Sequence, residues 1–128
     1  MSIHIEPSDS SLGAVITGVD LNALDDQSWL AVEAAWHKYA VLIFPQQHIN
    51  EAQHVALGQR IGPIEILAAD RKAVAISNQK PDGGLLGPDS GYYQILRGNE
   101  GWHTDSSYMP VSARASILAA EVLPDAGG

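Results

Sequence analysis

The 128 residues carry seven Lys and Arg against fifteen Asp and Glu, a formal net charge of −8, with 45% hydrophobic residues, 17% charged residues and no Cys. This composition suits one globular domain and, lacking any basic cluster, argues against a nucleic-acid partner. With no apolar run near the roughly 18 residues of a membrane span, no basic-then-apolar leader and no Cys, neither membrane insertion nor secretion is indicated, and disulfides, thiolate metal sites and a Cys nucleophile are excluded. A cytoplasmic location is the default expectation, and any metal must take His and carboxylate ligands, which suits iron, manganese or zinc.

Residues 3–6 and 12–19 read as two short strands, the second with Gly13 and Gly18 bracketing β-branched Val15, Ile16 and Thr17. Asp25 and Asp26 are helix-start candidates. Trp29, Val32, Trp36 and Tyr39 then recur at helical spacing, a stripe that reads as core. Residues 40–44 form a continuous apolar run stopped by Pro45, the pattern of a buried strand. Asn50 with Gln53 predicts a capping box opening a second helix, which runs to about Ile61 and stops at Gly62-Pro63. His37, His48 and His54 fall on these helices or their connections and read as solvated or edge side chains, since none has a partner at ligand spacing. Residues 73–77 and 115–122 are further strand candidates. Between them, residues 78–101 carry Gly83, Gly84, Gly87, Gly91, Gly98 and Gly101 with Pro81 and Pro88. So long a stretch with little regular pattern reads as a mobile cover over a site, with Tyr92, Tyr93, Ile95 and Leu96 available to fold onto a ligand. Leu123-Pro124-Asp125-Ala126-Gly127-Gly128 is turn chemistry with no strand after it to receive the reversal, which leads us to expect the N-terminal portion of a longer protein.

The cover leads into Asn99-Glu100-Gly101-Trp102-His103-Thr104-Asp105-Ser106-Ser107-Tyr108. On an extended segment His103 and Asp105 project to the same side, placing one nitrogen and one oxygen ligand together. That is two thirds of the 2-His-1-carboxylate triad of non-heme iron oxygenases. Spacing alone is weak evidence, because fifteen acidic residues and five His make such pairs common. His4-Ile5-Glu6 is one such pair and reads as a surface feature. The setting of His103 differs, with Trp102 beside it and small hydroxyl residues after it, although a hydrogen-bonded His–Asp pair without metal stays open.

Leu12-Gly13-Ala14-Val15-Ile16-Thr17-Gly18-Val19-Asp20-Leu21, Ala40-Val41-Leu42-Ile43-Phe44-Pro45, Gly58-Gln59-Arg60-Ile61-Gly62-Pro63, Trp102-His103-Thr104-Asp105 and the closing Leu123–Gly128 resemble, in this order, the TauD/TfdA family of Fe(II)- and 2-oxoglutarate-dependent dioxygenases. The resemblance implies an α+β, mainly β fold: the N-terminal half of a double-stranded β-helix (a clavaminate-synthase-like jelly roll) with flanking helices. Residues 1–128 would be the first part of a single domain, with 78–101 its lid. It further implies that His103 and Asp105 are the first two iron ligands, that Asn99 contacts substrate, and that Trp102 backs the ligands. Tyr93 and Leu96 are the substrate-facing residues of the cover. The threonine, distal His and Arg that would complete the iron and 2-oxoglutarate sites are expected downstream of Gly128.

The implied reaction consumes O2 and 2-oxoglutarate, releases succinate and CO2, and hydroxylates a small organic acid. Taurine is disfavoured, because Leu67 and Asp70 stand about where taurine-using members carry His and Tyr. The run from Gly98 to Val111 is similar to the branch acting on aryloxyalkanoates. Two other classes stay open: a non-catalytic binding or interaction domain, and a zinc or manganese protein that takes its third ligand from a partner chain. Assembly into homo-oligomers is left open too, and the 128 residues alone are expected to be inactive.

Overall fold

A computed structural model describes residues 2–66 and 71–126. Leu67, Asp70 and the closing Gly127-Gly128 pair therefore lie outside the described residues. The chain divides into two compact units, Met1–Leu57 with Ala119–Gly128, and Gly58–Leu118.

In the first unit, β1 (His4–Pro7) runs antiparallel to β2 (Ala14–Thr17), with Ile5 opposite Ile16. α1 (Asp26–Tyr39) carries the chain across to β3 (Leu42–Ile43), which pairs in parallel with β2 to give the order β1-β2-β3. Strand alternation sends Ala14 and Ile16 inward, where they meet Ala35 of α1; Ile3, Ile5, Val19, Tyr39, Leu42 and Phe44 close around them. The predicted aromatic stripe contributes to this side as half-buried Trp29, Trp36 and Tyr39 with buried Val32. α1 begins where Asp25 accepts from the Ser28 N–H at 2.7 Å, satisfying one of the orphan donors of its first turn. Gln47 ties the segment after β3 to the one after β2, accepting from Leu21 N–H at 2.9 Å and donating to the Val19 carbonyl at 3.2 Å. His4 and Glu6 sit on the exposed positions of β1, as a surface pair should.

α2 (Glu51–Ile61) opens with the predicted capping box: Gln53 N–H donates to the Asn50 side chain at 3.0 Å, and Asn50 N–H donates back to the Gln53 side chain at 2.8 Å. It ends before Gly62-Pro63, as the sequence predicts.

Four expectations change. Residues 40–44 yield a strand of two residues, not a buried run: β3 lies at the sheet edge, and Val41 and Ile43 are exposed. Residues 73–77 and 115–122 form no strand, because no described segment pairs with them and an unpaired extended segment has no ladder to hold it. Residues 78–101 are more regular than expected, holding an isolated bridge between Gln79 and Leu85 and a third helix, α3 (Gly91–Gly98). Finally, helix outweighs strand among the described residues, with helices of 14, 11 and 8 residues against strands of 4, 4 and 2, so the mixed α+β class holds but "mainly β" does not. Among the described residues no helix is long and apolar enough to cross a membrane.

Gly18 is a position where the fold requires glycine. Its φ is +74°, and an added Cβ would run into the Ser2 backbone carbonyl at the open end of the β1–β2 pair. Gly87, by contrast, has open space at its Cβ position. We predict that Gly18→Ala destabilises the fold by at least about 1–3 kcal/mol in urea denaturation, while Gly87→Ala stays within about 0.5 kcal/mol of the parent. Equal midpoints for the two variants would contradict this reading of β2.

Candidate functional site

The second unit holds His103 and Asp105, and they meet: His103 Nε2 lies 3.1 Å from Asp105 Oδ1, with side chains 49% and 67% exposed. They do not meet by strand alternation. Residues 102–104 belong to no strand and Asp105 opens a turn, so no strand runs through the pair. The cause is local. Ser106 takes a positive φ of 60°, the Met109 N–H donates to the Ser106 carbonyl at 3.0 Å, and the Ser107 hydroxyl donates to the Thr104 carbonyl at 3.2 Å. These bonds curl the chain immediately after His103 and bring the two side chains to one side by a different route.

Two features of this pair suit a cation. His103 Nδ1 lies 2.8 Å from the Gly101 carbonyl, an acceptor only, so Nδ1 carries the hydrogen and donates it. In the neutral ring that leaves Nε2 bare, and backbone-carbonyl support of this kind is what metal-ligating histidines usually receive on their other nitrogen. A bare Nε2 facing a carboxylate oxygen sets lone pair against lone pair, so the contact is favourable only with a proton or a metal ion at Nε2. The separation also fits a metal: donors on adjacent vertices of an octahedron with bonds of about 2.1 Å stand roughly 3.0 Å apart. Among the described residues no group of three His, Asp or Glu is gathered to hold a metal.

The other candidate residues cluster on α3 and just after it. Ser90 caps the helix, accepting from the Tyr93 N–H at 3.4 Å, and the Tyr92 hydroxyl donates to the Ala75 carbonyl at 3.1 Å, tying α3 to the segment before it. Tyr93 and Leu96, three residues apart and so on one face, are half-buried, while Tyr92 and Ile95 are exposed. Tyr93 lines an open groove of about 510 Å³ with Pro88, Gln94, Arg97 and Gly98. Arg97 is held in its charged form first by Tyr93 and then by Glu100, whose carboxylate lies 3.2 Å from its Nε. Asn99 forms the C-terminal cap of α3 and is exposed. Trp102 is fully exposed.

Sequence reasoning passed over one part of the site. Ser106 is the buried polar side chain among the described residues, 5% exposed, and its hydroxyl donates to Glu65 Oε2 at 2.6 Å. Glu65 is half-buried beside half-buried Ile64 and exposed Ile66, and no local spacing in the sequence links it to Ser106.

Residues 4–128 match the family described as Taurine catabolism dioxygenase TauD, TfdA family. The chain belongs to that family. It is 48% identical to the (S)-phenoxypropionate/alpha-ketoglutarate-dioxygenase of Sphingobium herbicidovorans, over 99% of this chain and 43% of that protein. The (S)-phenoxypropionate/alpha-ketoglutarate-dioxygenase of Delftia acidovorans is 40% identical, over 99% of this chain and 44% of its own length. Among solved structures, AAD-2 in complex with Mn(II) and N-oxalylglycine superimposes with a TM-score of 0.76 at 33% identity, covering 88% of this chain and 40% of that one. The chain thus spans less than half the length of the curated relatives it matches.

His103 is held above its ordinary value, first by the Gly101 carbonyl and then, against some desolvation, by the charge and hydrogen bond of Asp105. A raised folded value means that the imidazolium contact is fully present below the unfolded value and is lost as pH rises through the folded one. In chelator-treated protein, NMR titration of the His103 imidazole is therefore expected above about 6.5. Asp105→Asn should lower it only in part, since the Gly101 carbonyl is the larger cause. A His103 that titrates at or below the ordinary value would show that the pair does not form.

Proposed function

We propose that this chain carries the first two metal ligands, His103 and Asp105, of a cytoplasmic Fe(II)- and 2-oxoglutarate-dependent dioxygenase that hydroxylates a small organic acid of the aryloxyalkanoate type. The observation that carries the reading is the 3.1 Å Nε2–Oδ1 pair with its Nδ1 hydrogen committed to a backbone carbonyl, in a chain of this family. Support for the cosubstrate and substrate class comes from the names of the Sphingobium and Delftia relatives, and the Mn(II) of AAD-2 supports a divalent metal.

Fe(II) bound here would couple the decarboxylation of 2-oxoglutarate to O2 activation, turning substrate, 2-oxoglutarate and O2 into hydroxylated substrate, succinate and CO2. In this reading His103 offers its bare Nε2 and Asp105 its Oδ1. Gly101 holds the imidazole tautomer that leaves Nε2 free. The α3 face bearing Tyr93 and Leu96, within a lid of residues 78–101, contacts the apolar part of the substrate and excludes water. Asn99 contacts a polar group of the substrate, and Trp102 stands behind the ligands. The enclosing fold is the jelly roll of the family, of which residues 1–128 form the first part.

The test is anaerobic Fe(II) loading of the protein carrying this chain, followed by assay of succinate formation with 2-oxoglutarate and (S)-phenoxypropionate. His103→Ala and Asp105→Ala should each reduce turnover more than about 100-fold, a loss above that of removing a group that merely supports a ligand, while His4→Ala stays near the parent. Equal losses at all three positions would undo the site assignment. The 128 residues on their own are expected to take up iron substoichiometrically and to form no succinate, because metal affinity is coupled to a complete folded site. Tight 1:1 iron with succinate production from those residues would overturn that expectation, and a folded, Fe(II)-indifferent protein would favour the non-catalytic binding domain.

A further inference from the structure

Ser106 follows a proposed metal ligand, and its conformation is one that L side chains rarely adopt, with φ at 60°. Such a backbone persists only where the surroundings over-determine it. Here three hydrogen bonds do so. The Ser106 hydroxyl donates to Glu65 Oε2 at 2.6 Å, accepts from the Ala113 N–H at 2.9 Å, and the Ser106 carbonyl accepts from the Met109 N–H at 3.0 Å. The first of these reaches across 41 positions of sequence and is a short bond to a carboxylate, the stronger kind of hydrogen bond. With Ser106 only 5% exposed, water competes little for it.

The peptide joining Asp105 to Ser106 is oriented by the φ of Ser106, and that peptide sets where the Asp105 side chain leaves the backbone. If Ser106 relaxed to the ordinary negative φ, the plane between the two residues would swing and carry the carboxylate away from His103. Burial cannot restore the contact, because both ligand side chains are about half exposed or more. We propose that Ser106, clamped by Glu65, is the positioning residue that sets the Asp105 carboxylate against His103 and thereby fixes the spacing of the metal pair. This rests on reading His103 and Asp105 as ligands. Neither Ser106 nor Glu65 touches the metal in this assignment; both act through the backbone of Asp105.

The clamp can be separated from the ligands by Mn(II) titration, with free Mn(II) followed by EPR and its location checked by paramagnetic broadening of the His103 imidazole signal. Ser106→Gly adopts the positive φ without penalty but loses the hydroxyl, and Glu65→Ala loses the acceptor. Each is expected to weaken Mn(II) binding about 10–100-fold, the range for groups that support ligands, with an unchanged circular dichroism spectrum. Glu65→Gln keeps a side-chain oxygen that can accept from Ser106, so it should restore affinity to near the parent. A merely structural loop bond would not produce that split between Ala and Gln at constant fold. Parent-like Mn(II) affinity in both Ser106→Gly and Glu65→Ala, or equal losses in Glu65→Ala and Glu65→Gln, would overturn the proposal. If Glu65→Ala fails to fold, Ser106→Gly against Glu65→Gln decides it. His103→Ala reports on the underlying reading: Mn(II) binding that survives it removes the ligand assignment and the clamp with it. Loss in His103→Ala with parent-like Ser106→Gly removes only the clamp.

Discussion

A neutral imidazole nitrogen and a carboxylate oxygen held 3.1 Å apart repel unless a cation sits with them, and the chain from Asn99 to Ala113 is arranged to hold that geometry. The Gly101 carbonyl takes the Nδ1 hydrogen and so decides which nitrogen faces Asp105. The turn at Ser106 decides where the Asp105 carboxylate lies. Each constraint is weak without the other: a correctly oriented imidazole with a wandering carboxylate offers one fixed lone-pair donor, and a fixed carboxylate facing a protonated Nδ1 edge likewise offers only its own oxygen. Local backbone, not a surrounding core, therefore fixes the relation between the two side chains.

The sequence was most legible where a local hydrogen bond or a strict period dictates structure. Asp25 ahead of Ser28, and Asn50 with Gln53, name their own helix starts, because capping needs only residues three apart. The strands of the β1–β2 pair were readable from short runs in which Gly13 and Gly18 bracket β-branched residues, although their pairing, with Ile5 opposite Ile16, was not. Legibility failed where the outcome depends on a distant partner. Residues 40–44 are as apolar as a central strand, yet nothing in their sequence says that β3 will stand at the edge of the order β1-β2-β3. Residues 73–77 and 115–122 have strand composition and no described strand to pair with, and composition cannot supply the second strand. α3 was hidden for the opposite reason: Gly91 and Gly98 lie at its two ends, where glycine is tolerated, and the count of glycines over the whole stretch obscured a well-capped amphipathic helix between them.

The candidate site shows the same division. His103 and Asp105 were legible as a pair from spacing and setting, but the reason offered for their meeting, alternation along a strand, is not the one the fold uses. Spacing of two is compatible with both a strand and a curled turn, so sequence could indicate that the side chains approach without indicating how. Glu65 was illegible as a member of the site because its link to Ser106 spans 41 residues.

The exposure of the pair explains why the supporting bonds carry so much of the site. In a buried centre, packing limits where a carboxylate can go, and low dielectric makes each misplaced charge costly. With His103 and Asp105 side chains 49% and 67% exposed, water can solvate Asp105 in many rotamers at little cost, and Coulomb attraction to a cation is screened. Selection among those rotamers has to come from the backbone that carries them, and that backbone is held where it is dry, at Ser106. The short bond to Glu65 places the strain of a left-handed serine under a charge-assisted contact that water cannot readily replace. In the proposed reading, the exposed His103–Asp105 pair thereby takes its geometry from a buried neighbour that touches no metal itself.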